Sequence, residues 1–306
     1  MKLLFAGSPD SSATILKSLF EEGFDIVGVI SQPDKRSKRG KGKEPSPVSV
    51  ESLRLGIPTF KPCSLDELFK KKIASLSFDF LVVAAYGKIL PNWLLNSTNV
   101  APVNIHFSLL PKYRGASPIQ AAILNNDKKT GISIMKMSAG MDEGPVYCSY
   151  KHEILRSDTK VDLEKKLTSL CVENLSRDLK NIYKNKLEPV EQDLNKVSYS
   201  AKIDRLSGRI DFGKEKTLVI FQKHKAFFGW PGLYFEKNGI VIKIHGLDKY
   251  NPKKEGEMNK AFKFVSNGLA VKTIDKNIVI THLQFPGKRI IKSIDAVNSY
   301  SNFFEE

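Results

Sequence analysis

The chain has 306 residues, a length that suits two domains better than a single hydrophobic core. A hydrophobic content of 41% with 26% charged residues is typical of a folded globular protein and excludes wholesale disorder. The longest uninterrupted apolar run, Phe80–Tyr86, is far shorter than the roughly 20 residues of a membrane helix. Three cysteines without CxxC spacing support neither a disulfide framework nor a zinc knuckle. We therefore expect a cytoplasmic protein with no membrane partner.

The net charge of +15 at pH 7 is unevenly distributed along the chain. Residues 201–306 carry a net charge of +8, about twice the charge per residue of the first 200. Within the first part, the segment from Lys35 to Lys43 holds six Lys or Arg side chains in nine residues. A Lys-rich composition can raise the total without any functional cause, and a charge run is often only a solvated surface. The clustering nevertheless favours a nucleic acid as partner.

The N-terminal part alternates strand-like and helix-like stretches, a pattern typical of a parallel α/β sheet. The first strand is followed by Gly7-Ser8-Pro9-Asp10, which lacks the G-x-G-x-x-G of a dinucleotide site. Walker and HExxH motifs are also absent from the sequence, so we exclude an NAD enzyme, a P-loop enzyme and a zinc protease. In chain order, we predict strand Lys2–Ala6, a helix ending near Glu22, strand Phe24–Ile30, helices from Pro47 and over Leu65–Leu76, strands Phe78–Ala85 and Val100–Phe107, a helix from Ser117-Pro118, strand Ile132–Met137 and a long helix Asp158–Lys184.

The sequence changes character after Leu187. Residues 188–206 are polar and aperiodic, which suits a linker between a first domain of residues 1–187 and a second domain of residues 207–306. The second domain shows short strand-like segments with Gly or Asn breaks, a pattern typical of a small all-β barrel of the OB-like kind. The segments are Thr217–Phe221, Gly232–Phe235, Ile240–Ile244, Leu269–Thr273, Ile278–Leu283 and an ending near Phe304. Such barrels often bind nucleic acid, although a purely structural appendage remains the alternative.

Three polar residues follow the predicted strands at one edge of the sheet. Asn104 and His106 are two positions apart at the carboxyl end of a strand, so their side chains point to the same face. Asp142 lies in the loop after the next strand, and we expect neighbouring parallel strands to bring it close to His106. A single strand-end His or loop Asp is usually structural, but the three together indicate a catalytic cluster.

The stretch that contains two of these residues reads Asn104-Ile105-His106-Phe107-Ser108-Leu109-Leu110-Pro111. It resembles the Asn-x-His-x-Ser-Leu-Leu-Pro signature of the 10-formyl-tetrahydrofolate-dependent formyltransferases, which also carry a downstream Gly-x-Asp such as Gly140-Met141-Asp142. Further segments resemble the branch of that family that acts on methionyl-tRNA. They are Phe5–Pro9, Gln32–Asp34, Pro45–Val48, Ala85–Pro91, Arg114–Gln120, Tyr199–Ile203 and Gly229–Pro231. Phe107 and Tyr113 depart from the residues expected at their positions.

This resemblance implies a Rossmann-like, mostly parallel formyltransferase domain followed by the β-barrel, with 10-formyl-tetrahydrofolate as formyl donor. Asn104 and a protonated His106 are then expected to donate to the oxyanion of a tetrahedral intermediate, and Asp142 to stabilise the imidazolium and help remove a proton. No metal is needed for this chemistry. The resemblance further assigns folate binding to Ser108, Leu109, Leu110 and Pro111, and lining of the pterin pocket to the backbone of Tyr86–Leu90.

Initiator methionyl-tRNA is the second substrate that the resemblance implies, and we expect the protein to act on it as a monomer. The segment from Lys35 to Lys43, called the basic insert below, is then expected to contact the RNA. The expected contacts are Arg36, Lys38, Arg39, Lys41 and Lys43. Two alternatives remain open. One is a formyltransferase for a small amine, such as glycinamide ribonucleotide or an amino sugar nucleotide, and the other is an RNA-binding relative whose active site is dead.

Overall fold

The computed structural model describes residues 1–36 and 42–305. Its contacts divide the chain into two compact units. The first unit comprises Met1–Ile119, Lys128–Ile154 and Asp162–Ala201, and the second comprises Gln120–Asp127, Leu155–Val161 and the chain from Lys202 onward. Within the described ranges, no helix is both long and apolar enough to cross a membrane.

Helices and strands are interspersed from the N-terminus to Ser200. They are β1 (Lys2–Gly7), α1 (Asp10–Glu21), β2 (Asp25–Ile30), β3 (Lys35–Arg36), β4 (Lys43–Glu44), α2 (Pro47–Arg54), β5 (Thr59–Phe60), α3 (Glu67–Ile73), β6 (Phe80–Ala84), α4 (Asn92–Leu95), β7 (Ala101–His106), β8 (Arg114–Gly115), α5 (Pro118–Leu124), β9 (Lys129–Lys136), β10 (Val146–Glu153), α6 (Lys160–Tyr183) and β11 (Tyr199–Ser200).

The main sheet of the first unit has the strand order β10-β9-β7-β6-β1-β2-β5. Its pairs from β5 to β7 are parallel, whereas β9 and β10 run antiparallel to their neighbours. All five residues of β6 are buried, as expected for a central strand that is covered on both faces. The predicted Rossmann-like, mostly parallel sheet is therefore confirmed, while β10 was not predicted.

Local sequence explains where the helices around this sheet begin. Ser46 caps α2, because its Oγ accepts from the Ser49 amide at 3.0 Å and Pro47 follows at the first helical position. Asp66 caps α3 in the same way, with Oδ1 accepting from the amides of Leu68 and Phe69 at 3.1 Å each. These caps fix the first residues of α2 and α3.

The second unit combines an antiparallel sheet with helices. Its elements are α7 (Thr217–Ala226), β12 (Leu233–Lys237), β13 (Ile240–Lys249), α8 (Pro252–Glu255), β14 (Phe262–Val265), β15 (Gly268–Lys272), β16 (Asn277–Gln284), β17 (Ile291–Lys292) and α9 (Val297–Glu305). The sheet order is β12-β13-β16-β15-β14, and β17 also pairs with β16. The predicted C-terminal domain of short strands is confirmed as an antiparallel sheet, but the chain end near Phe304, which was predicted to be strand-like, is helical.

A second predicted strand of this unit is also wrong. Thr217–Phe221 opens the helix α7, although its β-branched run is typical of a strand. The Thr217 amide, which no helical carbonyl can satisfy, donates to Asp275 Oδ1 at 2.8 Å. Ile220 and Ala226 are buried while Leu218 is 57% exposed, so burial follows one face of a helix rather than alternating along a strand. Tertiary packing therefore overrides the local preference.

Candidate active site

Asn104, His106 and Asp142 lie together at the carboxyl end of strand β7 in the main sheet. Asn104 Nδ2 donates to Asp142 Oδ1 at 3.3 Å. His106 Nδ1 lies 3.6 Å from Asp142 Oδ2. The side chains of His106 and Asp142 are only 6% and 18% exposed, so the two groups interact away from bulk water.

The route by which Asp142 reaches His106 differs from the one we predicted. Strand β9 pairs antiparallel with β7, with His106 opposite Ser133 and Val103 opposite Lys136. The carboxyl end of β9 therefore points away from the carboxyl end of β7, and parallel neighbouring strands do not explain the contact. Instead, the loop between β9 and β10 folds back over the sheet, and Asp142 takes a left-handed conformation with φ of +52°.

The contacts of His106 fix which ring nitrogen can exchange a proton. Its Nε2 lies 2.9 Å from the Tyr113 carbonyl oxygen, which can only accept. Nε2 therefore carries hydrogen, and Nδ1 is the nitrogen that gains or loses a proton opposite Asp142. Tyr113 is itself held in a left-handed conformation, and its amide donates to Ser198 Oγ at 3.0 Å.

The carboxylate of Asp142 has a further, backbone partner. Its Oδ2 accepts from the Gly115 amide at 2.8 Å. Gly115 has φ of +117°, and a Cβ there would lie 2.6 Å from the Ser200 carbonyl oxygen, because β8 pairs directly with β11. Glycine is the residue that permits both this conformation and this close approach. The Asp142 carboxylate is thus held from three directions, by Asn104, His106 and the Gly115 amide.

The segment predicted to bind folate forms an ordered turn after β7. Ser108 is fully buried, and its hydroxyl donates to the Lys112 carbonyl at 2.6 Å rather than facing outward. The Leu110 amide donates to Ser133 Oγ at 3.0 Å. Leu109, Leu110 and Pro111 are partly exposed, so these three present apolar surface at the edge of the site.

A second turn ends the neighbouring strand β6 at the same edge of the sheet. Ala85 and Gly87 are both left-handed, with φ of +45° and +77°, and both are exposed. The intervening Tyr86 carbonyl accepts from Gln32 Nε2 at 2.8 Å, which fixes the turn. Ile89 is 86% exposed. The turn therefore offers backbone polar groups beside an apolar side chain.

The basic insert lies only partly within the described residues. Lys38, Arg39 and Lys41 are outside them. Arg36 and Lys43 are opposite each other in the antiparallel pair of β3 and β4, through which the chain enters and leaves the insert. The Lys43 side chain is exposed.

Some contacts at the site come from residues that sequence reasoning missed. Residues 188–201, which were predicted to belong to a linker, lie in the first unit, and Ser198, Ser200 and Gln192 contact the segment around Gly115 and Asp142. Their polar, aperiodic sequence carries no signal that distinguishes them from an exposed loop. Among the residues that the structure describes, no group of three His, Cys, Asp or Glu side chains is placed to hold a metal ion.

Comparison with known proteins gives matches over both units. The family model described as "Formyl transferase" matches residues 1–179, and the one described as "Formyl transferase, C-terminal domain" matches residues 202–301. A methionyl-tRNA formyltransferase of Sulfurihydrogenibium sp. (strain YO3AOP1) is 36% identical over 305 residues, covering 98% of this chain and 97% of the relative. A methionyl-tRNA formyltransferase of Bacillus velezensis is 35% identical over 299 residues, covering 97% and 94%.

Two solved structures are also similar. One is the N-formyltransferase from Helicobacter canadensis in complex with folinic acid and dTDP-3-aminofucose, with a TM-score of 0.67, 21% identity and coverage of 92% of this chain and 98% of that one. The other is HypX from Aquifex aeolicus, with a TM-score of 0.69, 15% identity and coverage of 100% of this chain and 50% of that one. At such identities these two likenesses show the fold alone.

Proposed function

The chain belongs to the formyl transferase family, and we propose that it transfers the formyl group of 10-formyl-tetrahydrofolate to the methionine amino group of initiator methionyl-tRNA. Relatives named methionyl-tRNA formyltransferase match this chain over nearly their whole length, so the acceptor is proposed from full-length similarity rather than from a shared domain. The observation that carries the catalytic part of the proposal is the contact of Asp142 with both Asn104 and His106.

The contacts of these residues support an acyl-transfer mechanism. The amine attacks the formyl carbon, and the carbonyl oxygen becomes an oxyanion. Asn104 has two amide hydrogens, so one can stay on Asp142 while the other donates to that oxyanion. In comparable sites the loss of one such donor lowers kcat about 10²–10³-fold.

The proton released by the amine needs a route to the leaving group. His106 Nδ1 can accept it beside the Asp142 carboxylate, whose charge then stabilises the imidazolium. The same proton can pass to the folate nitrogen when its bond to the formyl carbon breaks. Asp142 thereby orients His106 and compensates the positive charge of its imidazolium. The proton passes from the amine to the folate nitrogen through His106, and no further group is needed.

The edge of the sheet suits a folate-type donor. A pterin ring combines flat apolar faces with a polar edge. The exposed backbone around Ala85 and Gly87, beside Ile89, offers hydrogen-bonding groups for such an edge. Leu109, Leu110 and Pro111 offer apolar contact, whereas the Ser108 hydroxyl is already engaged with Lys112. We therefore assign Ser108 to shaping the folate site from within the turn.

Charge supports an RNA acceptor. Residues 201–306 carry a net charge of +8. A cleft of about 750 Å³ within the second unit is lined by Arg209, Lys237 and Lys272 as well as by Asp211 and Glu236, so its lining carries a slight excess of positive charge that can contribute to the binding of RNA phosphates. The insert adds Arg36, Lys38, Arg39, Lys41 and Lys43 from the first unit. We propose that insert and cleft contact the same RNA, and that the protein works as a monomer in the cytoplasm.

A formyl-transfer assay with competing acceptors tests this proposal. The purified chain is given 10-formyl-tetrahydrofolate with initiator methionyl-tRNA, elongator methionyl-tRNA, or an amino sugar nucleotide. We expect rapid formylation of the initiator and little reaction with the other two. Preferred formylation of the amino sugar nucleotide would move the function to a small-amine formyltransferase. No transfer to any acceptor, together with tight RNA binding, would indicate a non-catalytic RNA-binding protein.

A further inference from the structure

We infer that Gln192 is a positioning residue for Asp142, and that it holds the carboxylate in the geometry that formyl transfer requires. The inference rests on the proposed function, since it concerns the reaction in which Asp142 takes part. Gln192 follows the long helix α6 by nine residues and lies in the segment that the sequence predicts to be a linker.

The amide of Gln192 is engaged at both of its ends. Nε2 donates to the carbonyl oxygen of Asp142 at 2.8 Å and to that of Gly144 at 2.7 Å. Oε1 accepts from Arg114 Nε at 3.1 Å and from Arg114 Nη2 at 2.9 Å. One side chain thus joins the Asp142 loop to the strand β8.

Arg114 determines which way the amide faces. Its guanidinium can only donate, and only 4% of the residue is exposed, so it requires an acceptor from within the protein. A rotated Gln192 would place NH₂ against these donors and its oxygen against the two carbonyl oxygens. Both contacts would be repulsive. Arg114 therefore fixes Oε1 on its own side and leaves both hydrogens of Nε2 for the carbonyls of Asp142 and Gly144.

The two carbonyl contacts bracket the point at which the loop turns. Asp142 adopts φ of +52°, a conformation that residues other than glycine rarely take without support from their surroundings. Gln192 binds the carbonyl of Asp142 itself and that of the residue two positions later. With the backbone held there, the Asp142 side chain points to Asn104, His106 and the Gly115 amide.

Gly115 gives strand β8 a second contact with Asp142, this time a direct one. It directly follows Arg114 in β8, and its amide donates to Asp142 Oδ2 at 2.8 Å. Strand β8 therefore binds the carboxylate directly through Gly115 and the loop backbone indirectly through Arg114 and Gln192. A shift of about 1 Å in such an arrangement can cost a factor of about 10² in rate even when the reacting groups remain present.

Three variants of the full-length chain test the inference. Gln192→Ala removes all four hydrogen bonds. Gln192→Glu keeps an acceptor for Arg114 but removes both donors and faces the carbonyls of Asp142 and Gly144 with a carboxylate. Asn195→Ala changes an exposed side chain of the same segment and is the matched control. Each variant is measured for kcat and KM with 10-formyl-tetrahydrofolate and initiator methionyl-tRNA, and for Tm.

We expect kcat to fall on the order of 10–100-fold in both Gln192 variants, with KM for either substrate within about twofold of the wild type. The kcat of the Glu variant is expected to be no higher than that of the Ala variant, and Asn195→Ala is expected to match the wild type.

A lowered Tm with an unchanged kcat would show that Gln192 is only structural. A wild-type kcat in Gln192→Glu would show that the hydrogen-bond donors of Gln192 do not matter for the reaction. If Asp142→Ala is inactive while both Gln192 variants are normal, the inference fails and the proposed function stands. If the wild type does not formylate, the proposed function itself fails.

Discussion

Charged side chains at the candidate site of the first unit and beside the cleft of the second unit are held in opposite ways. In the first unit, Asp142 is 18% exposed and contacts Asn104, His106 and a backbone amide within one small region. In the second unit, Arg209 and Glu236 form an ion pair of 3.8 Å with 61% and 47% of their side chains exposed. The first arrangement fixes the position of one carboxylate, while the second is an exposed interaction that solvent and salt can screen.

This difference has consequences for what each unit can do. A carboxylate that is held from several directions acts on one atom, so its replacement should affect one chemical step strongly. Exposed cations act on a polyanion together, so replacement of a few should weaken binding gradually and in a way that depends on salt. Substitutions of the two kinds should therefore differ in the size of their effect and in its dependence on salt.

The largest effect is expected at His106. His106→Ala removes the ring whose Nδ1 lies beside Asp142, and with it the group that we propose accepts the proton of the attacking amine. We expect kcat to fall about 10²–10⁴-fold, while the dissociation constant for initiator methionyl-tRNA stays near that of the wild type. His152→Ala, in strand β10 of the same sheet, is the control and should retain activity. A variant of His106 that turns over normally would mean that the site is misassigned.

A smaller and salt-dependent effect is expected at the basic insert. Replacement of Arg39, Lys41 and Lys43 by Ala should weaken RNA binding and flatten the slope of log K against log salt. The slope should change by roughly 0.7–0.9 for each phosphate that the variant no longer neutralises, while folate affinity stays unchanged. An equal reduction of charge elsewhere in the first unit, through Ala at Lys17, Lys70 and Lys129, is the control. If the insert variant keeps both affinity and slope, the insert is only solvated surface.

The smallest effect concerns stability rather than function. Burial lowers the pKa of His224 in α7 below its ordinary value, so the folded second unit favours the neutral ring. As the pH falls through the unfolded-state pKa of about 6.5, the unfolded chain binds more protons than the folded one, and the free energy of unfolding decreases. His224→Gln should reduce the loss of Tm between about pH 8 and pH 5, whereas exposed His282→Gln should follow the wild type. Parallel Tm curves for wild type and His224→Gln would contradict this.

Regular elements of the first unit could be predicted because their apolar patterns are simple. The buried run of β6 and the periodic leucines of α6 occur where the sequence places them, within two residues at each end. Thr217–Phe221 could not be predicted in this way, because its β-branched residues favour a strand while Asp275 and the packing of Ile220 favour a helix.

The candidate site likewise has features that could be predicted from the sequence and features that could not. Residue types and spacing singled out Asn104, His106 and Asp142, and the structure brings all three together. Their arrangement depends on information that the sequence does not display, namely the antiparallel direction of β9, the Tyr113 carbonyl that occupies Nε2, and the contact of Gln192 with the Asp142 loop. Each of these depends on how the folded chain is arranged and has no local sequence pattern.

We propose that the charge of Asp142 acts on the transfer of the formyl group, not on folding or RNA binding. Asp142→Asn tests it most directly, because the amide keeps the size of the side chain and can still accept from the Gly115 amide. With enzyme in excess, saturating 10-formyl-tetrahydrofolate and initiator methionyl-tRNA, the single-turnover rate of formyl transfer should fall on the order of 10²-fold or more. The RNA dissociation constant and Tm, measured on the same preparation, should remain close to wild type. A single-turnover rate equal to that of the wild type would contradict the account.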